Sequence, residues 1–371
     1  MIVILILTAC SGGSGAIATP PGVGEAKVTS RGFACPEPEV PMQEAVNELR
    51  LLVRTEYISP EIQECFQLVY GIRIDRDEYS RNEEILGRLT AGVDYDLALA
   101  PDYIVNQVIE QGLLQSLDKS RLPLIRNLDA DYLNFPFDPG NQYTLPYLAG
   151  TNAIVVNTDT VRNIPQSWAD LWKPEYAGRM IFLDDSRTVI GATLLTLGYD
   201  VNTTDAIQLE QARVKLAELI PNIRLFDNDS PKTALISGAA ELGITWTGEA
   251  FLAGQRNTAL RFIFPTEGAI FWQDNWVVPA NAQHTEAAYA WLNYTMQANM
   301  FWMMLRDFPY INPNRAALDY ALEHHAEIYD AYMGSPITNI APAVIVNSHR
   351  IGDVGEALPL YYRIWSELRG G

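Results

Sequence analysis

Cysteine is scarce in this 371-residue chain, with three in all, and histidine is hardly commoner, with four. No Cys-x-x-Cys pair occurs and no cysteine lies near a histidine, so neither a structural zinc site nor a thiol redox centre has a sequence basis. His324-His325, flanked by Glu323 and Glu327, lacks a ligand spacing and reads as a solvated helix face. Positive charge is also short. Lys and Arg number 26 against 45 Asp and Glu, a formal net charge of −19. Such a surface repels phosphate backbones and argues against nucleic acid as a partner. It would draw in cationic solutes, although many secreted proteins are acidic for solubility alone. There is no Gly-x-Ser-x-Gly elbow, no nucleophile–histidine pair and no internal repeat. Gly22-Val23-Gly24 precedes no strand-to-helix turn and so is not a phosphate loop.

What is present begins at the N-terminus. Met1 to Ala9 form an apolar run too short to span a bilayer. The segment Leu7-Thr8-Ala9-Cys10 resembles a bacterial lipobox, in which Cys10 would be lipidated and become the mature N-terminus. Ser11 to Gly15 would then serve as a flexible tether. No Lys or Arg precedes Lys27. The missing basic region leads us to expect a true start upstream of Met1. An exported, lipid-anchored protein is the expectation. Cys35 and Cys65 remain, either paired with each other or as buried thiols; spacing alone does not choose.

Residues 11–45, rich in Gly, Pro, Ser and Ala, read as a flexible linker. From Leu49 the pattern turns regular. Strand-like Leu49–Val53 precedes helical periodicity over Pro60–Tyr70, with Pro60 suited to a first turn. Ile72–Ile74, a helix around Asn82–Leu89, the strand Asp96–Ala100 and a helix from Asp102 follow. After Tyr147 come strands over Ala153–Val156 and Met180–Leu183, then helices near Gly191 and Ala206. This alternation predicts an α/β fold with a mainly parallel sheet covered by helices. In the last helix Ala357, Tyr361, Ile364, Trp365 and Leu368 share one face, which makes the Tyr361-Tyr362 pair a packing feature.

Several longer motifs are more specific. Thr55-Glu56-Tyr57, the run from Ser167 to Tyr176, Leu242 to Trp246, and Glu267 to Asp274 resemble the spermidine/putrescine-binding proteins of polyamine ABC importers. Phe137 to Asn141 with Leu145-Pro146-Tyr147 fits as well. The resemblance runs in order from about Leu49 to the C-terminus. It implies two α/β lobes, of the periplasmic-binding-protein type, hinged by crossover strands about a central ligand cleft. The first lobe would be 46–150 plus 277–322, the second 151–276 plus 323–371. It also implies a binding protein that hands its ligand to membrane permease subunits, performs no catalysis and needs no cofactor or metal. The ligand-contacting positions implied are Thr55, Glu56, Tyr57, Tyr103, Asp185, Trp246, Trp272, Asp274 and Tyr310.

The chemistry agrees. A polyamine needs carboxylates at its ammonium groups and flat apolar walls along its methylenes, and aromatic faces attract cations by about 0.5–2 kcal/mol. Bland roles compete: Asp185 precedes a helix and is placed to cap it. Trp168 and Trp172 read as packing residues. Paired acids can hydrolyse glycosides, but the same acids suit a cation site. Two departures from the family pattern bear on the ligand. Arg54 stands where the family usually has Trp, and Thr188 stands where polyamine binders commonly supply Glu. Pro101 and Ile351 also replace polar positions. Both Arg54 and Thr188 are therefore taken as site residues. Alternative ligands are an ω-amino acid or an acylated polyamine, and an alternative role is a sensory binding protein without transport.

Overall fold

The computed structural model describes residues 26–370, so Cys10 and its tether lie outside the described part. Strand β1 (Glu48–Arg54) leads through Ser59 into α1 (Pro60–Tyr70). Pro60 opens that helix and Gly71 closes it at φ 70°, donating its N–H to the Gln67 carbonyl, the left-handed stop that only glycine adopts cheaply. Strand β2 (Arg73–Tyr79) then pairs parallel to β1 along seven residues. Its RIDRDE sequence keeps charges on an edge strand, where they discourage further pairing. Helix α2 (Glu83–Thr90), β3 (Leu97–Pro101), α3 (Asp102–Glu110) and the short β4 (Leu114–Gln115) complete this unit.

Asp138 shapes the entry to the crossover. Its carboxylate accepts from the backbone N–H groups of Gln142, Tyr143 and Thr144 and from the Thr144 hydroxyl. The chain then runs into β5 (Thr144–Asn157), fourteen residues buried throughout. A second unit follows: β6 (Met180–Phe182), α4 (Ser186–Thr196), α5 (Ala206–Ala217), β7 (Ile223–Phe226), α6 (Pro231–Ser237), β8 (Leu242–Trp246), α7 (Thr247–Arg256) and β9 (Leu260–Ile263). Strand β10 (Ile270–Pro279) crosses back. Helices α8 (Thr285–Met296), α9 (Ala298–Phe301), α10 (Met303–Asp307), α11 (Arg315–His324) and α12 (Ala326–Met333) then pack on the first unit. Helix α13 (Pro342–Val346), β11 (His349–Arg350) and α14 (Leu358–Arg369) end the chain.

The sheet order is β2-β1-β3-β10-β5-β8-β6-β7. Pairing is parallel within each lobe. The crossovers β5 and β10 run antiparallel to each other and to β8 and β3. The expected parallel sheet therefore holds inside the lobes and fails at the hinge, because a chain that leaves and returns must reverse direction.

One core gathers Leu51, Phe66, Trp276 and Trp291; the other gathers Phe182, Leu194, Tyr361 and Trp365. Two sequence expectations are corrected. Residues 26–45 are not a free linker. Cys35 bonds to Cys65, the Glu39 N–H donates to Gln297, and the Tyr294 hydroxyl donates to the Pro36 carbonyl. Composition hid this, since those contacts lie with partners up to 260 residues away. Beyond residue 322, α12 still belongs to the first core: Tyr332 is buried there, and its hydroxyl donates to the Tyr310 carbonyl.

Candidate ligand-binding cleft

The strand ends of both lobes and the hinge strands converge on one cleft. Strand β10 supplies Trp272 and Asp274, which share its cleft face by the two-residue period of a strand. Pairing slips between Asp274 and Asn275 where β10 meets β5, and such irregularities re-aim side chains. Opposite Trp272 in the ladder stands Gly150. A Cβ there would lie 2.5 Å from the indole, so only glycine lets the ring lie flat against β5.

Asp274 is 6 % exposed. Among the described residues no cation pairs with it within ion-pair distance. Burial raises its pKa, opposed by Arg54 and the Tyr57 hydroxyl and reinforced by Asp185. Around it stand aromatic walls. The Trp272 and Tyr310 rings meet edge to face at 5.4 Å, and Tyr57 and Tyr310 at 5.6 Å. Trp246 and Tyr103 line the same space. The hydroxyls of Tyr57 and Tyr103 are buried without a close hydrogen-bond partner. Burial pushes the Tyr57, Tyr103 and Tyr310 hydroxyls well above the usual phenol range. These are neutral donors at any physiological pH.

Arg54, at the end of β1, reaches the cleft between the rings of Tyr79 at 5.3 Å and Trp246 at 5.2 Å. It donates to the Ser80 carbonyl at 3.2 Å and to the Asn82 amide oxygen. Burial works against its charge, but Tyr79, Asp274, Tyr57 and Asp185 together outweigh that and raise its pKa. Three other acids near the cleft are engaged elsewhere. Asp102 pairs with Arg350 at 2.5 Å, Glu56 with Lys232 at 2.9 Å, and Asp185 accepts from Asn82 at 3.0 Å.

Asp185 also caps α4, accepting the Thr188 N–H at 2.7 Å. Each carboxylate oxygen thus accepts one hydrogen bond from the protein, and the residue lines the cleft. The Thr188 hydroxyl accepts from Asn152 at 2.7 Å, and the Asn152 oxygen accepts from the Trp272 indole at 2.9 Å. This chain of hydrogen bonds ties Trp272 to the start of α4. Asn82 and Asn152 line the cleft too. Sequence reading missed them, because lone asparagines carry no motif. Thr55 and Glu56 are not among the lining residues. The Thr55 N–H donates to the Tyr79 carbonyl at 3.4 Å, and a left-handed backbone at Glu56, φ 50°, turns its side chain to the rim. Pro101 and Ile351 do line the cleft, where they remove polarity.

A buried anion facing aromatic walls between two hinged lobes is the architecture of a receptor. The match to bacterial extracellular solute-binding proteins extends over residues 64–330. The chain belongs to that family. These proteins bind solutes and are not enzymes. Over 320 residues this solute-binding protein is 37 % identical to the spermidine/putrescine-binding periplasmic protein of Escherichia coli K12, covering 85 % of this chain and 90 % of that one. It is 31 % identical over 283 residues to the putrescine/agmatine-binding protein of Pseudomonas aeruginosa, covering 71 % and 77 %. The structure of a spermidine/putrescine ABC transporter substrate-binding protein from Streptococcus pneumoniae superposes with a TM-score of 0.68 at 29 % identity, over 88 % of this chain and 99 % of that one. The described residues contain no helix long and apolar enough to cross a membrane.

Proposed function

We propose that this solute-binding protein captures a small amine-bearing molecule of the polyamine class, spermidine, putrescine or a relative, and passes it to the permease of an ABC importer. The observation that carries the reading is Asp274: a buried carboxylate without an ion-pair partner among the described residues, walled by Trp272, Tyr57 and Tyr310. A buried carboxylate is costly unless a cation completes it. An ammonium on an aliphatic chain supplies the charge, and the rings accept its methylenes. The names of the relatives in Escherichia coli and Pseudomonas aeruginosa support the same class. A thermal-shift screen with polyamines, acylated polyamines and amino acids tests it, since a ligand that binds only the folded state raises its stability. No shift with any amine at millimolar concentration would overturn the reading.

Arg54 favours one refinement. It is held by neutral acceptors and lacks a carboxylate in contact. A guanidinium about 6 Å from a ligand ammonium costs nearly ~3 kcal/mol at an effective dielectric of ~20. The better-suited ligand has one ammonium at Asp274 and a neutral or anionic end near Arg54, as in an ω-amino acid or an acylated diamine. Titrating wild type and Arg54→Trp with spermidine, putrescine and ω-amino acids decides this. Micromolar spermidine binding by wild type, with no gain in the variant, would refute it. We also infer lipid anchoring through Cys10, on the lipobox-like sequence. A fatty-acid analogue should label wild type and not Cys10→Ser; equal labelling removes the anchor.

A further inference from the structure

Lys232 stands in the first turn of α6, where a cation opposes the helix dipole. Helix stability therefore does not explain it. Its ammonium lies 2.9 Å from a Glu56 oxygen of the first lobe and 3.1 and 3.2 Å from the two Glu249 oxygens of the second. Glu249 is only 7 % exposed at its side chain, Lys232 21 %, Glu56 55 %. None of the three lines the cleft itself, but both acids adjoin its walls. Glu56 precedes the wall residue Tyr57, and Glu249 follows Gly248, where a Cβ would come within 2.7 Å of the Tyr310 ring. Both acids act on the Tyr310 hydroxyl, helping burial to raise its pKa. An alkyl chain ending in an ammonium, held by two carboxylates beside an aromatic ring, is the constellation a diamine terminus would seek.

We propose that Lys232 is a tethered ammonium that fills a second cation subsite formed by Glu56 and Glu249. By occupying that subsite it restricts the cleft to ligands with a single ammonium at Asp274. The inference rests on the amine-binding reading of Asp274 and deepens it. With Lys232 in place, a second ligand ammonium meets a like charge and no free acid at this rim. With the lysine side chain removed, a buried carboxylate and the space of four methylenes become available to the ligand instead.

Calorimetric titration of wild type, Lys232→Ala and Lys232→Met with butylamine, putrescine, longer α,ω-diamines and spermidine tests this. Wild type should bind butylamine and the diamines with similar affinity. Lys232→Ala should prefer the diamine or spermidine length that reaches Glu249 by about ten-fold or more over butylamine, the scale of one charge-assisted contact. Lys232→Met, which keeps the volume and loses the charge, should show no such gain. Ethylammonium should raise the Tm of Lys232→Ala more than that of wild type, where Asp274 is the one subsite open to it. Butylamine binding to wild type without a diamine gain or a larger ethylammonium response in folded Lys232→Ala overturns the tethered ammonium alone. Wild type and variants that bind no amine overturn both this and the reading beneath it.

Discussion

At the residue scale the cleft is decided by which acids are free. Asp185, Glu56 and Asp274 were all candidate anions in the sequence, yet Asp185 caps a helix and Glu56 pairs with a lysine, as Asp102 pairs with an arginine. Among the described residues, Asp274 has no such partner within contact distance. We expect Asp274→Asn to cost about 1.5–3 kcal/mol of binding, roughly ten- to a hundred-fold in affinity. Calorimetry on the folded variant with the amine found by screening measures it, and unchanged affinity would place the anchor elsewhere. The motif around Trp272 and Asp274 was readable because its type and order are specific. Gly150, Asn82 and Asn152 were not, because what makes them matter is a neighbour 103 or more positions away in two cases and 36 in the third.

Elements were the most legible level. The expected boundaries Pro60–Tyr70 coincide with α1, since a proline start and a glycine stop are local devices. Strand β5 was underestimated: four residues were expected and fourteen form. Its first half carries Pro146 and Gly150, residues that argue against a strand until β10 and the Trp272 ring are present. The N-terminal segment was the clearest failure, and the Cys35–Cys65 bond is the reason it stays on α1. That bond closes a 30-residue separation, for which chain entropy gives about 3–4 kcal/mol of stabilisation. Alkylation of the unreduced, unfolded protein should find no free thiol at either position. The double variant Cys35→Ser with Cys65→Ser should lower the denaturation free energy by about that amount; full alkylation without reduction would show that the bond does not form.

On the scale of the whole molecule, polar contacts stitch the lobes together around the cleft. Ser80 donates to Asp229 at 2.6 Å, Asn228 to the Ser80 carbonyl at 3.0 Å, and Ser186 to Glu83 at 2.9 Å. Such a clasp describes a closed arrangement, and an unliganded protein should open about β5 and β10. Small-angle scattering should show a smaller radius of gyration with saturating ligand; an unchanged radius would mean that no hinge motion accompanies binding. Closure should also depend on pH. Burial and the neighbouring Asp185 push Glu83 up to about 7 from an ordinary 4.5, against hydrogen bonds from its own backbone and Ser186 and the pull of Arg81. The hydroxyls of Tyr103 and Tyr362, which also feel Glu83, stay neutral there. With its closed-state pKa raised, Glu83 takes up a proton on closing. Its contribution is complete below about 4.5 and is lost as pH rises through about 7. Ligand affinity should therefore fall as pH rises from about 4.5 through about 7, and Glu83→Gln should flatten that slope. Parallel slopes in the two proteins would exclude Glu83 as the source.

The sequence by itself determined the α/β alternation, the family and the stretch of β10 that faces the cleft, because these rest on local periodicity and on motifs whose residues are contiguous. Only the tertiary structure decided the electrostatics. Whether a carboxylate is free, capping or paired depends on what the other lobe brings within about 3 Å, and the chain passes between lobes through strands far apart in sequence. Arg54 facing the cleft, Lys232 bridging Glu56 and Glu249, and Asp274 left without an ion-pair partner among the described residues are outcomes of that juxtaposition. They follow from the fold's two crossings, which no window of neighbouring residues contains.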